Sequence, residues 1–137
     1  MNPSSTAAAN KALVSQVMDA VFVRRDSSVV ERHFAKDYVQ HNPSIPNGRD
    51  AIPGLIGQLA AGFRYEAGMI VAEGDLVVIN GRYTGWGPKP MVAVDIFRVV
   101  DGKLVEHWDV MQEEVPASST VSGNPMFSDR SGNALGQ

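Results

Sequence analysis

The sequence reads as an α+β domain. Three N-terminal helices come first, and a curved antiparallel sheet then packs over them as a cone enclosing a pocket. Three observations lead there. Hydrophobic residues recur at helical spacing up to Phe63 and at a spacing of two from Arg64 onward. Turn signals at Glu73-Gly74-Asp75 and Asp101-Gly102 join neighbouring strands directly, so those strands run antiparallel. The chain has 137 residues, 44% of them hydrophobic and 20% charged, the size and balance of one domain with its own core. Helices grouped ahead of hairpins define α+β rather than an alternating doubly wound sheet.

Residues 1–9 are small and polar and read as a flexible arm. Asn10 is placed to cap the first helix. Its apolar stripe is Leu13, Val17 and Val21 together with Val14, Met18 and Phe22. Asp26, Ser27 and Ser28 supply the next cap, ahead of Val29, Val30, His33 and Phe34, and this helix ends near Lys36. Asn42-Pro43, Pro46 and Asn47-Gly48 mark a loop. Asp50 caps a third helix, with Pro53 in its first turn and a face of Ile52, Leu55, Ile56, Leu59 and Phe63.

Four strands follow. Tyr65, Ala67, Met69 and Val71 alternate with polar or small residues in the first, and the second runs from Leu76 to Tyr83. Gly85 to Pro90 breaks the sheet. Met91–Val99 and Leu104–Gln112 form the last hairpin around Asp101-Gly102. Residues 116–137 are rich in Ser, Gly and Asn and read as an irregular tail within the single domain 1–137.

Composition removes several function classes. Lys and Arg number 12 against 15 Asp and Glu, for a net charge of -3, and no basic run is present to neutralise phosphates. Nucleic-acid binding is therefore not expected. No stretch of about 18 apolar residues exists to span a membrane. The chain has 0 Cys, which removes disulfides, thiolate metal sites and a Cys nucleophile. The polar N-terminus lacks a secretory signal, so a cytoplasmic location is expected. No GxGxxG, Walker or GxSxG motif occurs.

The segment Glu106-His107-Trp108-Asp109 is the sharpest chemical signal. On a strand, His107 and Asp109 share one face, in a row with the apolar Val105 and Met111. Desolvation disfavours a charged carboxylate, so an Asp there can serve as a base near neutral pH, with His107 sharing the proton or orienting a substrate. The structural alternative is an Asp paired with Arg64, Arg82 or Arg98, beside a packed His.

The hairpin register decides what joins them. A three-residue loop, Val100-Asp101-Gly102, sets Val99 opposite Lys103, Asp95 opposite His107 and Ala93 opposite Asp109. Asp95, Phe97, His107 and Asp109 then share a face. A two-residue loop sets Asp95 with Glu106 and Trp108 instead. The first register suits the sequence better. It leaves Val94, Ile96, Trp108 and Val110 as an apolar outer face, expected to meet a second copy of the chain.

Tyr38-Val39-Gln40-His41-Asn42-Pro43 offers hydrogen-bonding groups for a pocket mouth, or simply loop architecture. Asn80 interrupts an apolar strand, with its face open. His41, His107, Asp95 and Asp109 could ligate a metal, but they form no recognised ligand spacing, and none is expected.

These same segments carry a resemblance. Tyr38 to Pro43, Asp95-Ile96-Phe97-Arg98, Asp101 to Asp109, and Ser122-Gly123-Asn124-Pro125-Met126-Phe127 together resemble the SnoaL-like polyketide cyclases, within the nuclear-transport-factor-2-like superfamily of cone-shaped α+β folds. The likeness extends over roughly residues 10 to 128, and its bacterial members end in a similar tail. It implies a ring-closing aldol reaction without metal or organic cofactor, a lyase or isomerase class of activity, and a homodimer. By position it implies Asp109 as acid/base, His107 as its assistant, and Gln40 and His41 at the pocket mouth. Asn80 stands where relatives carry His, a departure from the pattern. With 7% aromatic residues, the pocket suits a molecule smaller than a polycyclic polyketide.

The expectation is a cofactor-independent acid/base enzyme acting on a small carbonyl compound. Asp109 and His107 are its catalytic pair, and Tyr38, Gln40, His41, Asn80, Asp95 and Phe97 contact the substrate. Two alternatives stand beside it. One is a non-catalytic module that binds a small apolar molecule in the same fold. The other is a hydrolase or dehydratase using Asp95 and Asp109 around a water.

Overall fold

Alanine has the strongest helix propensity of any residue, and Ala7-Ala8-Ala9 extend the first helix well back of Asn10. The computed structural model describes residues 3–129, with side chains from residue 6, and a two-residue strand at Ala134–Leu135. Its first helix, α1, spans Pro3–Phe22, so most of the segment expected as an arm is helical. Proline is tolerated at a helix start because its missing N–H would have no partner there. Asn10 thus lies inside α1 instead of capping it. It is buried and reaches the Gly74 carbonyl from Nδ2 at 3.5 Å.

The second helix, α2, is Val29–His33 and stops before Lys36. Ser28 stands at its N-cap without a side-chain cap bond, while Asp26 Oδ1 accepts the Ser28 N–H at 2.9 Å. The next residues, Phe34–Gln40, form a strand that local periodicity did not reveal, β1. After α3, Ala51–Gly57, come β2 (Arg64–Glu73), β3 (Leu76–Thr84), β4 (Met91–Val100) and β5 (Lys103–Glu113). Asp50 takes the N-cap place of α3, again without a side-chain bond, and Leu59 and Phe63 are buried beyond the helix end.

The sheet order is β1-β5-β4-β3-β2. It is curved and unclosed, and antiparallel except where β1 runs parallel to β5. On β3, Val77, Ile79 and Tyr83 point inward and join Val14, Val17 and Val21 of α1 in the core. The loop after β1 folds back along that strand: Gly48 N–H donates to Tyr38 O at 2.7 Å, and Gln40 N–H to Asn47 Oδ1 at 2.8 Å. An exposed strand edge is thereby satisfied, and Gln40 is held in place.

The β4–β5 hairpin departs from the expected register. Asp101 and Gly102 both have positive φ, 51° and 75°. That is a two-residue type I′ turn, with Val100 opposite Lys103 and Val99 opposite Leu104. The register then shifts, Arg98 pairing with Glu106, so Val105 is an unpaired bulge residue. Beyond it Phe97 faces His107 and Asp95 faces Asp109. The expected loop length and cross-strand partners were wrong, but the extra residue restores the parity. Asp95, Phe97, His107 and Asp109 do share the inner face.

The outer face is partly covered by the chain itself. Phe127, in the short strand β6 (Phe127–Ser128), is fully buried and pairs through its strand with β7, Ala134–Leu135. A Cβ at Gly68 would stand 2.7 Å from the Phe127 ring, so only glycine lets the tail seat there. The segment from 116 is therefore structured in part; residues 1–2, 130–133 and 136–137 lie outside the described set. Among the described residues no helix is long and apolar enough to cross a membrane.

Candidate active site

Curvature of the sheet over α1 and α3 leaves a cavity of about 390 Å³. Its apolar wall includes Val17, Met18, Phe22 and Ile52, and its polar wall is built by the inward positions of β1, β4 and β5. Strand alternation explains the polar set: Tyr38, Gln40 and Asn42 share a parity at the end of β1, and Asp95, His107 and Asp109 share the inner face of the hairpin.

His107 lies at the centre. Its Nδ1 is 2.6 Å from Gln40 Oε1, and its Nε2 is 2.8 Å from Asp95 Oδ1 and 3.8 Å from Asp109 Oδ2. The His107 and Asp95 side chains are 7% and 5% exposed, so water competes little for this contact. The ring packs at 4.8 Å from Phe97 and lies near-parallel to Tyr38 at 6.5 Å. Asp95 Oδ2 accepts the Tyr83 hydroxyl at 2.7 Å. Burial first, then the charge of Asp95, pushes both Tyr83 and Tyr38 well above the ordinary phenol value, so both stay protonated and can donate.

Asp109 Oδ2 accepts Asn42 Nδ2–H at 2.8 Å. The orientation of Asn42 is fixed because its Oδ1 accepts the Ser44 N–H at 2.8 Å. Asp109 Oδ1 bonds to none of the described residues. Tyr83 is thus a site residue that the sequence reading did not single out, and Asn42, named there only within the Tyr38–Pro43 segment, had been given no role of its own. The signal for Asn42 was its parity with Tyr38 and Gln40, visible only once residues 34–40 are taken as a strand.

Two expected pocket residues lie elsewhere. His41 follows Gln40, the last residue of β1, and faces outward. It stacks on Trp108 at 4.9 Å with 3° between the rings and bonds Glu106 Oε2 through Nε2 at 2.7 Å. Asn80 alternates with the inward Ile79 and so faces out, its Nδ2 donating to Ala93 O at 2.9 Å. Neither lines the cavity, whereas Tyr38, Gln40, Asp95, Phe97, His107 and Asp109 all do.

A SnoaL-like domain model matches residues 14–107. The chain belongs to the SnoaL-like family. Solved structures share its fold. A protein assigned as a ketosteroid isomerase from Kribbella flavida aligns with TM-score 0.67 at 18% identity, covering 78% of this chain and 80% of the other. One assigned as a polyketide cyclase from Bacillus cereus gives 0.62 at 20%, covering 72% and 71%. The M. tuberculosis LEH-like epoxide hydrolase gives 0.62 at 18%, covering 77% and 84%. No curated protein sequence matches at a significant level.

In this SnoaL-like domain, Asp95, His107 and Asp109 are also the group whose ligand atoms lie close enough to share a metal ion, all within 4.8 Å, among the described residues. Gln40 holds Nδ1 of His107, which leaves Nε2 as the ring nitrogen facing both aspartates.

Proposed function

We propose that this SnoaL-like domain is a cofactor-independent acid/base enzyme acting on a small, uncharged carbonyl compound through an enolate. One observation carries the reading: Asp109 stands on the cavity wall with one oxygen held by Asn42 and the other unbonded among the described residues. The free oxygen removes an α-proton from the bound carbonyl compound. Tyr38 O–H and Gln40 Nε2–H, neither of which donates to a described residue, then stabilise the enolate oxygen, an effect that grows as charge develops. His107 holds its nitrogens on Gln40 and Asp95 and acts from beside Asp109, not as a donor to the substrate oxygen. The enolate attacks a second carbonyl in an aldol-type cyclisation, or is reprotonated at carbon in an isomerisation.

No Lys or Arg is among the described residues lining the cavity, so a phosphate or carboxylate substrate would meet two aspartates without a counter-charge. The test is α-hydrogen exchange into heavy water for a panel of ketones and β-keto esters. Exchange in wild type that is lost in Asp109→Asn is the expected result. Full exchange in that variant overturns the assignment, and ligand binding with no exchange by wild type moves the reading to a binding module.

A second reading has one observation in its favour. Asp95 and Asp109 face each other across the hairpin, with His107 Nε2 within 3.8 Å of both. Such a pair could activate water for hydrolysis or dehydration. Incorporation of labelled water oxygen into product distinguishes it. The outer strip of Val94, Ile96, Trp108 and Val110, with Val110 74% exposed, is proposed to cover itself with a second copy of the chain. Light scattering of wild type and Val110→Glu tests this: a dimer that falls to monomer supports it, and a monomeric wild type ends it.

A further inference from the structure

We infer that Gln40 is a positioning residue that fixes the tautomer of His107, so that His107 and Asp95 share one proton along a single line. The inference rests on the reading of Asp109, His107 and Asp95 as the acid/base set, and goes beyond it by stating where the protons lie.

A backbone N–H can only donate. Asn42 N–H points at Gln40 Oε1 at 3.0 Å, which settles which end of the Gln40 amide is oxygen. The same oxygen lies 2.6 Å from His107 Nδ1. An acceptor that close requires a hydrogen on the nitrogen, so Nδ1 is the N–H of the ring. A neutral imidazole with hydrogen on Nδ1 has only a lone pair at Nε2. Nε2 nevertheless sits 2.8 Å from a carboxylate oxygen of Asp95. Two lone pairs do not approach that closely, so one hydrogen lies between them. It resides on Nε2, giving imidazolium and carboxylate, or on Oδ1, giving imidazole and carboxylic acid.

The surroundings allow no other donor in that place. Tyr83 already donates to the second Asp95 oxygen at 2.7 Å, and its own proton is kept by burial. The groups packed around the ring are Tyr38 from β1, Phe97 and Asp95 from β4, and Asp109 from β5. No described Lys or Arg touches it. Asp109 Oδ2, at 3.8 Å from Nε2, lies just beyond hydrogen-bond reach of the shared hydrogen. A proton delivered to Asp109 by substrate thus arrives next to a second, separately stored proton. Without the Gln40 acceptor the ring would take the other tautomer, with its hydrogen on Nε2 donating to Asp95 and Nδ1 bare.

The test is nitrogen-15 NMR of the three histidines at neutral pH, with the His107 signals identified from their loss in His107→Gln. In wild type, Nδ1 of His107 should appear in the protonated region, coupled to a slowly exchanging hydrogen. Gln40→Leu should move Nδ1 to the unprotonated region, while Gln40→Glu, which keeps an acceptor oxygen, should restore it. A merely structural Gln40 would alter the melting temperature and leave the nitrogen signals in place. Unprotonated Nδ1 in wild type, or unchanged Nδ1 in Gln40→Leu, overturns the inference. If Gln40→Leu does not fold, wild type and Gln40→Glu decide it. No substrate enters the measurement, so failure of the enolate reading leaves this result standing on its own.

Discussion

β5 places two adjacent residues in two imidazole–carboxylate pairs on opposite faces of one sheet. Inside, His107 meets Asp95 at 2.8 Å; outside, Glu106 meets His41 at 2.7 Å. The distances match, but the side chains are 7% and 5% exposed in the first pair and 42% and 25% in the second. The inner pair has been taken out of water and must satisfy every donor and acceptor from the protein, which it does through Gln40 and Tyr83. The outer pair sits in solvent beside Trp108 and Arg98, where competing water weakens each contact. Geometry alone does not set the two pairs apart; desolvation and a cavity do.

The largest expected break in this contrast is catalytic. Asp109→Asn should lower α-hydrogen exchange by roughly 10²–10⁴-fold, with the thermal midpoint little changed. Glu106→Gln, one strand face away, should leave the exchange rate as in wild type. Deuterium uptake followed by mass spectrometry measures both.

The next effect is on stability. Asp95→Ala strips both His107 and Tyr83 of their acceptor, and removal of one member of a buried pair costs about 3–5 kcal/mol. Urea denaturation should show that loss, against a barely shifted midpoint for Glu106→Ala. Tyr83→Phe removes one donor to Asp95 and should cost about 1–3 kcal/mol in the same measurement.

The smallest effect concerns pH. The hydrogen bond from His41, aided by Arg98, holds the Glu106 carboxyl below the usual glutamate value of 4.5. A depressed folded-state value means that the carboxylate's contribution is complete above the unfolded value and fades as pH falls through the folded one. Wild type should therefore lose slightly more stability than Glu106→Gln on acidification below about pH 4.5. Paired urea titrations across that range measure the difference; parallel curves would mean that the outer pair contributes nothing.

Much of this was legible in the chain. The stripe of α1, the strand pairs and the shared face of His107 and Asp109 follow from periods that each segment carries by itself. β1 did not. Phe34–Gln40 becomes a strand by pairing in parallel with β5, a partner distant in sequence, and no local period announces such a pairing. That omission left Asn42 without a role of its own and turned His41 toward the wrong face, since both depend on the alternation that β1 sets up. The hairpin erred differently. Asp-Gly was recognised as a turn, but a bulge at Val105 is a cooperative result of turn twist and core burial, which residue types alone do not encode.

That bulge also bears on how such sites are recognised in sequences. Val105 is one extra residue between Asp95 and the His107–Asp109 segment. A chain with the same turn and no bulge would be one residue shorter there and keep the same cross-strand pairing of these positions. Fixed spacing between the two acids is therefore the wrong signature to search for: turn length and bulge together set the inward parity, and the parity is what brings the residues to one face.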